Sequence, residues 1–145
     1  MIGTALEIAW EAHKGQTDKA GNPYIRHPMT VAGSMDTEEE IAAALLHDVV
    51  EDSEYTFEDL KARGIPETVL EALRLLTHDP EEDYFSYVRK IRANPIATKV
   101  KLADLEHNSR ADRLPEITEK DLQRLEKYTK ARDILTDPNG GREEP

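Results

Sequence analysis

Residues 42–52 place an apolar helix directly before four side chains of the kind that bind metal ions. The first half, residues 42–46, contains only Ala and Leu, which predicts a buried helix. His47, Asp48, Glu51 and Asp52 follow within six residues. Charge at the end of a buried element is costly unless it is paired or bound to a metal ion. The stretch is therefore predicted to be the centre of a metal site.

Helical spacing of apolar residues recurs along the chain, whereas the alternation typical of a half-buried strand is absent. Glycine, proline and capping residues separate the helical stretches. The pattern predicts an all-α bundle of seven to eight helices, covering about residues 4–13, 27–34, 38–48, 56–62, 66–76, 84–92, 96–108 and 119–136. The segment Tyr24-Ile25-Arg26 is expected to be briefly extended.

Two of these helices carry apolar stripes that predict which face is buried. In the first helix the stripe consists of Leu6, Ala9, Trp10 and His13. In the last helix it consists of Leu122, Leu125, Tyr128, Ala131 and Leu135.

Length and charge narrow the class of protein. With 145 residues the chain is expected to form one domain over residues 1–136, followed by a polar tail at 137–145. The absence of cysteine excludes disulfides, thiolate zinc sites and cysteine nucleophiles. A net charge of −11 repels duplex nucleic acid, and no apolar run approaches the roughly 20 residues of a membrane span. Without a visible signal peptide we expect a cytoplasmic monomer or homodimer.

The residue types suggest which ion the site would hold. His27, before a proline, and Asp104, in an apolar helix, can join His47 and Asp48 around one ion. Neighbours on a helix point about 100° apart, so His47 and Asp48 need ligands from other helices to complete the site. Imidazoles and carboxylates suit Mn²⁺ or Fe²⁺, and Zn²⁺ stays open. Taken singly, each residue also has a structural interpretation, as a packed histidine or as an aspartate that pairs with a lysine.

Several segments together carry a resemblance to a known family. They are Gly15-Gln16, residues 19–25, His27-Pro28, residues 43–52, residues 100–104 and His107-Asn108. The combination resembles the HD-domain superfamily, most closely the alarmone hydrolase domain of the Rel/SpoT proteins and the single-domain small alarmone hydrolases of the Mesh type. The resemblance runs from about Leu6 to Leu135 and implies an HD-domain helical bundle.

The resemblance also implies roles for individual residues. The metal ligands would be His27, His47, Asp48 and Asp104, with Mn²⁺ the usual ion. Glu51 and Asp52 match the acidic pair that orients or deprotonates the attacking water, and Glu51 can share a helix face with His47. The substrate-binding candidates are Lys19, Lys101, Asn108, Arg124 and Tyr128. Arg124 as a surface ion pair and Tyr128 as a core residue are the alternatives.

The reaction implied by the family removes pyrophosphate from the 3′ position of (p)ppGpp, with a metal-bound hydroxide attacking the 3′-phosphorus. One residue departs from the pattern. The long family members have arginine where this chain has Asp18, and that arginine packs on the guanine base. Asp18 cannot do so and would repel an anionic ligand, so the base preference stays open.

Other functions therefore remain as alternatives. The substrate could be an adenine alarmone, a nicotinamide dinucleotide phosphate such as NADPH, or a nucleotide monophosphate. A non-catalytic module that only binds a nucleotide is the alternative outside the enzymes, although such a module would not need Glu51 and Asp52.

Overall fold

The structure is a computed structural model that describes residues 1–110 and 118–137. Within this part of the chain the regular elements are all helices: α1 (Ile2–His13), α2 (Arg26–Ala32), α3 (Glu38–Leu46), α4 (Val49–Asp52), α5 (Phe57–Ala62), α6 (Glu67–Leu76), α7 (Tyr84–Ile91), α8 (Pro95–Asn108) and α9 (Glu119–Thr136). Eight of them correspond to the helices expected from the sequence, and α4 is an additional single turn. The prediction of an all-α fold is confirmed.

Several helices begin where the sequence places a cap. Thr37, Thr56 and Thr118 each accept a hydrogen bond from the backbone N–H three residues later, within a capping box. Asn94 caps α8 in a similar way, directly before Pro95. These local contacts satisfy N–H groups that a helix start would otherwise leave without a partner.

Helix α3 forms the centre of the bundle. Residues 42–46 are all buried, as the apolar run predicts. α3 packs against α1, α2, α6 and α8, and α2 also packs against α8. The Ala residues allow these helices to approach α3 closely, because Ala adds little bulk to a helix surface. The meeting of α2, α3 and α8 positions the candidate site.

The predicted stripes of α1 and α9 are partly wrong. α1 buries Ala5, Ile8, Ala9 and His13, whereas Leu6 and Trp10 are 39% and 58% exposed. In α9, Ala131 and Leu135 are buried, but Leu122 is 56% exposed. In both helices an apolar side chain fits the helical period and yet lies outside the face that the neighbouring helices cover.

The segment before α2 is also different from the expectation. Tyr24 and Ile25 form a turn rather than an extended segment, and Arg26 already belongs to α2. A single β-bridge between Thr17 and Pro23 closes the preceding loop. None of the helices in residues 1–110 and 118–137 has the length and apolar character needed to cross a membrane.

Candidate metal centre

Three helices bring the four predicted metal ligands to one place. His27 Nε2 lies 2.7 Å from Asp104 Oδ1, and His47 Nε2 lies 3.3 Å from the same oxygen. Asp48 Oδ2 is 3.1 Å from His47 Nε2 and 3.9 Å from His27 Nε2. One donor atom from each side chain thus falls within 4.8 Å of every other. The residues lie far apart in sequence, so tertiary packing creates the cluster.

A break in the helix lets the adjacent residues His47 and Asp48 face the same point. His47 keeps helical backbone angles, but Asp48 has φ −104° and ψ −2°, in the bridge region where many active-site residues lie. The chain resumes as the separate turn α4. The prediction that Glu51 shares a helix face with His47 is therefore wrong, because α3 ends at Leu46. The break replaces the 100° divergence of helical neighbours with convergence on one site.

Each ligand is oriented by a second contact, as is usual for metal-binding side chains. His47 Nδ1 lies 2.5 Å from the carbonyl oxygen of Ala44. The Tyr24 hydroxyl donates to Asp48 Oδ2 at 2.5 Å. These contacts hold the two side chains in fixed orientations before any ion binds.

Two other side chains of the same helix contact the carboxylate of Asp104. Lys101 Nζ pairs with Oδ2 at 3.1 Å, and the Asn108 amide donates to Oδ1 at 3.0 Å. Lys101, Asp104 and Asn108 lie at positions i−3, i and i+4 of α8, so they form the stripe expected from the sequence. His107, in the same turn, contacts His27 from the other side, with 2.7 Å between the two Nδ1 atoms.

The buried charges perturb one another strongly. Burial alone would lower the pKa of His47, but the carboxylates of Asp48 and Asp104 outweigh it and hold this pKa well above its usual value. Burial would raise the pKa of Asp104, yet Lys101 and the two histidines hold it well below its usual range. In the metal-free cluster the imidazolium of His47 therefore faces the carboxylates of Asp48 and Asp104.

We expect metal binding to release a proton from His47. Its raised pKa means that His47 is protonated at neutral pH in the metal-free protein, whereas a metal ion requires the free nitrogen lone pair. Because protons compete more strongly at low pH, the apparent Mn²⁺ affinity should rise with pH, about tenfold per unit for one displaced proton. Calorimetric titration in buffers of different ionisation enthalpy counts the released protons. An affinity independent of pH between about 6 and 8 would contradict this expectation.

Glu51 and Asp52 lie beside the cluster, on the turn that follows the helix break. Glu51 Oε1 accepts a hydrogen bond from the backbone N–H of His78, and the Asp52 carbonyl accepts one from Gln16 at 2.9 Å. Both residues are exposed to solvent, although nearby protein atoms partly desolvate their carboxyl groups. Partial burial, together with the charge of Asp48, raises the pKa of both carboxyl groups. A carboxyl group with a raised pKa is better matched to proton transfer near neutral pH.

The remaining substrate-binding candidates fall in two places. Lys101 lies at the cluster and packs over the rings of Tyr84 and Tyr87, at 5.7 and 5.3 Å from their centroids. Lys19 and Arg124 instead converge on Asp121 Oδ1, at 3.4 and 3.8 Å. The ion-pair alternative for Arg124 is thus observed.

Tyr128 is half-buried on α9 and packs against the core cluster, as its alternative interpretation expects. It shares the inward side of α9 with Asp121 and Arg124, which lie nearer the start of that helix. Lys19 and Arg124 thus form their ion pairs with Asp121 rather than with one of the four predicted ligands.

A polar cavity of 290 Å³ opens next to His27. Its lining contains two cationic side chains and one carboxylate among polar groups: Asp18, Asn22, Arg26, His27, Thr30, His107 and Arg110. Asp18 Oδ1 accepts hydrogen bonds from the backbone N–H groups of Ala20 and Asn22, at 3.0 and 2.9 Å. Asp18 therefore shapes the loop, and two arginines line the same cavity.

The sequence reasoning missed three residues that support the site. Tyr24 contacts Asp48, Gln16 holds the turn that carries Asp52, and His107 contacts His27. All three lie inside the segments that carry the family resemblance. A polar side chain within such a segment that still lacks a role is the signal that could have identified them.

Comparison with known proteins identifies the family. A family model described as HD domain matches residues 5–78. The guanosine-3′,5′-bis(diphosphate) 3′-pyrophosphohydrolase of Haemophilus influenzae is 36% identical over 117 residues, which cover 71% of this chain and 17% of the relative. The bifunctional (p)ppGpp synthase/hydrolase SpoT of Escherichia coli K12 is 35% identical over 120 residues, covering 73% of this chain and 17% of SpoT. This chain thus spans about a sixth of the length of these relatives.

A solved structure is similar over nearly the whole chain. It is described as a metazoan ortholog of SpoT that hydrolyses ppGpp and plays a role in starvation responses. The TM-score is 0.75 and the sequence identity is 25%, and the match covers 96% of this chain and 86% of the other. The resemblance inferred from the motifs is confirmed.

Proposed function

Because this chain belongs to the HD-domain family, we propose that it is a metal-dependent phosphohydrolase that removes the 3′-pyrophosphate of a (p)ppGpp-like alarmone. The observation that carries the proposal is the convergence of His27, His47, Asp48 and Asp104 within 4.8 Å, beside Glu51 and Asp52. The names of the relatives and the described activity of the structural neighbour support the choice of substrate class.

The four converging side chains fit a divalent cation. Two imidazole nitrogens and two carboxylate oxygens form a mixed donor set that suits Mn²⁺ or Fe²⁺, with Zn²⁺ as a further candidate. We propose Mn²⁺ as the native ion, held by His27, His47, Asp48 and Asp104. A bound ion of this kind would lower the pKa of a coordinated water and offset phosphate charge.

Glu51 and Asp52 would handle protons beside the ion. Their raised pKa values favour exchange of a proton at the attacking water near neutral pH. The backbone N–H of His78 holds the Glu51 side chain, and Gln16 holds the backbone of the turn while leaving the carboxylate of Asp52 unoccupied by that contact. A protein that only senses a nucleotide would not need such a pair, which favours the enzyme over the binding module.

Cationic and polar side chains around the site would hold the nucleotide phosphates. Lys101 and Asn108 both contact Asp104, so a substrate phosphate bound near the ion would also lie near these two side chains. Lys19 and Arg124 already converge on one anionic oxygen, that of Asp121. We propose that a phosphate group competes with Asp121 for these two cations, with Tyr128 beside them.

Membership of the family does not determine which nucleotide base the chain prefers, because Asp18 replaces the arginine of the long family members. Asp18 accepts hydrogen bonds from two backbone N–H groups. It has no planar guanidinium group that would pack on a guanine base. Arg26 and Arg110 line the neighbouring cavity and could contribute instead. An adenine alarmone or NADPH therefore remains as an alternative substrate of the same chemistry.

A substrate panel with Mn²⁺ tests the proposed function. ppGpp, pppGpp, their adenine counterparts, NADPH and nucleoside monophosphates are incubated with the full chain, and pyrophosphate and orthophosphate are measured separately. Pyrophosphate release from a 3′-pyrophosphorylated nucleotide supports the proposal. Orthophosphate release identifies a phosphatase instead, and tight binding without turnover identifies a binding module.

A further inference from the structure

His107 contacts the predicted ligand His27 on the side away from the cluster. The two Nδ1 atoms are 2.7 Å apart, the ring centroids are 5.0 Å apart and the ring planes are 9° from parallel, so the rings meet edge to edge through these nitrogens. His27 is 1% exposed, so its ring is fixed by protein contacts alone. The pair joins residues 80 positions apart in the chain.

One helix holds both nitrogens of the His27 ring. Asp104 meets Nε2 at 2.7 Å and His107 meets Nδ1 at 2.7 Å. These two residues lie three positions apart on α8, and therefore on neighbouring parts of one helix face. The imidazole plane of His27 is thus set by α8 at both ends.

Chemistry decides which histidine supplies the proton of this contact. Two ring nitrogens at hydrogen-bond distance share one proton, because one must donate and the other accept. If His107 donated, a neutral His27 would carry its own proton on Nε2, and that nitrogen could not bind an ion. Metal binding therefore requires that His27 donate through Nδ1 and that His107 accept.

His47, the other histidine of the cluster, is also oriented by a hydrogen bond at Nδ1, but its partner is a backbone carbonyl. His47 Nδ1 faces the carbonyl of Ala44, which can only accept, so the single proton of a neutral His47 ring lies on Nδ1 and Nε2 is left for an ion. At His27 the corresponding acceptor is a side chain instead of the backbone. The orientation of His27 thus depends on the identity of one residue, and mutation can test it.

We infer that His107 is a positioning residue for the metal centre, which accepts the Nδ1 proton of His27 and so presents the Nε2 lone pair to the ion. The inference rests on the metal site of the proposed function but does not depend on the substrate. His107 itself would then carry its proton on Nε2.

Nitrogen-15 NMR of the Zn²⁺-loaded protein tests the proton positions directly. Long-range imidazole correlations should show His27 protonated on Nδ1 and His107 protonated on Nε2. A proton on His107 Nδ1, or a His27 ring that is unprotonated at Nδ1, would overturn the inference. The measurement uses the unchanged protein, so no variant has to fold.

Metal affinity gives the second readout. Loss of a partner that orients a metal ligand typically costs about 10- to 100-fold in affinity, and we expect His107→Leu to weaken Mn²⁺ binding by this factor in calorimetry. His107→Gln keeps an acceptor oxygen and should recover most of the loss. Thr30→Ala, which alters the same cavity away from the cluster, is the matched control and should bind Mn²⁺ as the unchanged protein does.

The outcomes separate this inference from the proposed function. Full Mn²⁺ affinity in a folded His107→Leu protein overturns the inference, as does equal weakening by the leucine and glutamine variants. Neither readout uses a nucleotide. If the substrate panel shows no hydrolysis while the proton positions and affinities follow the expectation, the substrate assignment fails and the role of His107 stands.

Discussion

Replacing Asp104 with alanine is expected to remove bound Mn²⁺ and to lower turnover by about a thousandfold or more, since a catalytic ion supplies several kcal/mol of stabilisation. Asp104 Oδ1 lies within 3.3 Å of the Nε2 atoms of both His27 and His47, so no other side chain can replace it at the centre of the cluster. Metal content after desalting and the initial rate of pyrophosphate release are the measurements.

Two further variants separate loss of metal from loss of structure. Asp104→Ala leaves Lys101 as a cation with a side chain only 12% exposed and without its carboxylate partner, which is destabilising. The double variant Asp104→Ala, Lys101→Met removes that lone charge and should restore folding but not metal binding. His47→Ala should likewise be folded and metal-free.

An aspartate outside the site serves as the control. Asp36 is exposed and pairs with Lys99 on the surface, so Asp36→Ala should keep both Mn²⁺ and turnover. Retained manganese together with full turnover in Asp104→Ala or His47→Ala would refute the assignment of the metal centre.

The variant Asp52→Asn should show the second-largest effect, a fall in kcat of about 10²- to 10⁴-fold, as expected for a group that transfers protons in the transition state. Mn²⁺ content should not change, because Asp52 is outside the group of converging donor atoms. Asparagine keeps the size of the side chain, and the backbone contact with Gln16 is unaffected.

Glu51→Gln provides the comparison within the acidic pair. Its amide oxygen can still accept the hydrogen bond from His78, so the turn should remain in place. The variant with the larger loss of kcat identifies the main proton carrier. Unchanged kcat in both variants would contradict the role of the pair, and loss of Mn²⁺ in either would assign that residue to the metal site instead.

The sequence was sufficient for the helices and for the set of converging residues. Eight helices follow from apolar period and capping residues, because both signals are local and the caps at Thr37, Thr56 and Thr118 form as expected. The four predicted ligands come together because the family pattern carries tertiary information that a helical period does not contain.

The helical period of apolar residues was not sufficient to predict which faces of α1 and α9 are buried. The α1 stripe through Leu6 and Trp10 has a helical period, but so does the buried one through Ala5 and Ile8. Alanine contributes little to a hydrophobicity pattern, so the pattern does not single out the Ala5 face. This face is the buried one because α1 packs against α3. At the start of α9 the buried residue is Asp121, held by Thr118 and Lys19, and Leu122 points to solvent.

The break at Asp48 was also beyond the sequence argument. Nothing in the run from Leu45 to Val50 is a helix breaker, so the sequence does not indicate a break between two helices at this point. The bridge-region angles of Asp48 accompany contacts made by its side chain, with Tyr24 and His47 among them. The contacts of Tyr24 with Asp48 and of His107 with His27 were not predictable from the sequence for a similar reason, since they depend on packing across the bundle.

The separation of the ligands along the chain has a consequence for stability. His27 and Asp104 lie 77 positions apart, so an ion held by both would act as a removable cross-link in a chain without cysteine. An ion at a hundredfold excess over its dissociation constant adds about 2.7 kcal/mol to the folded state. Metal supply would then set the lifetime of this protein against proteolysis, in addition to its rate of turnover.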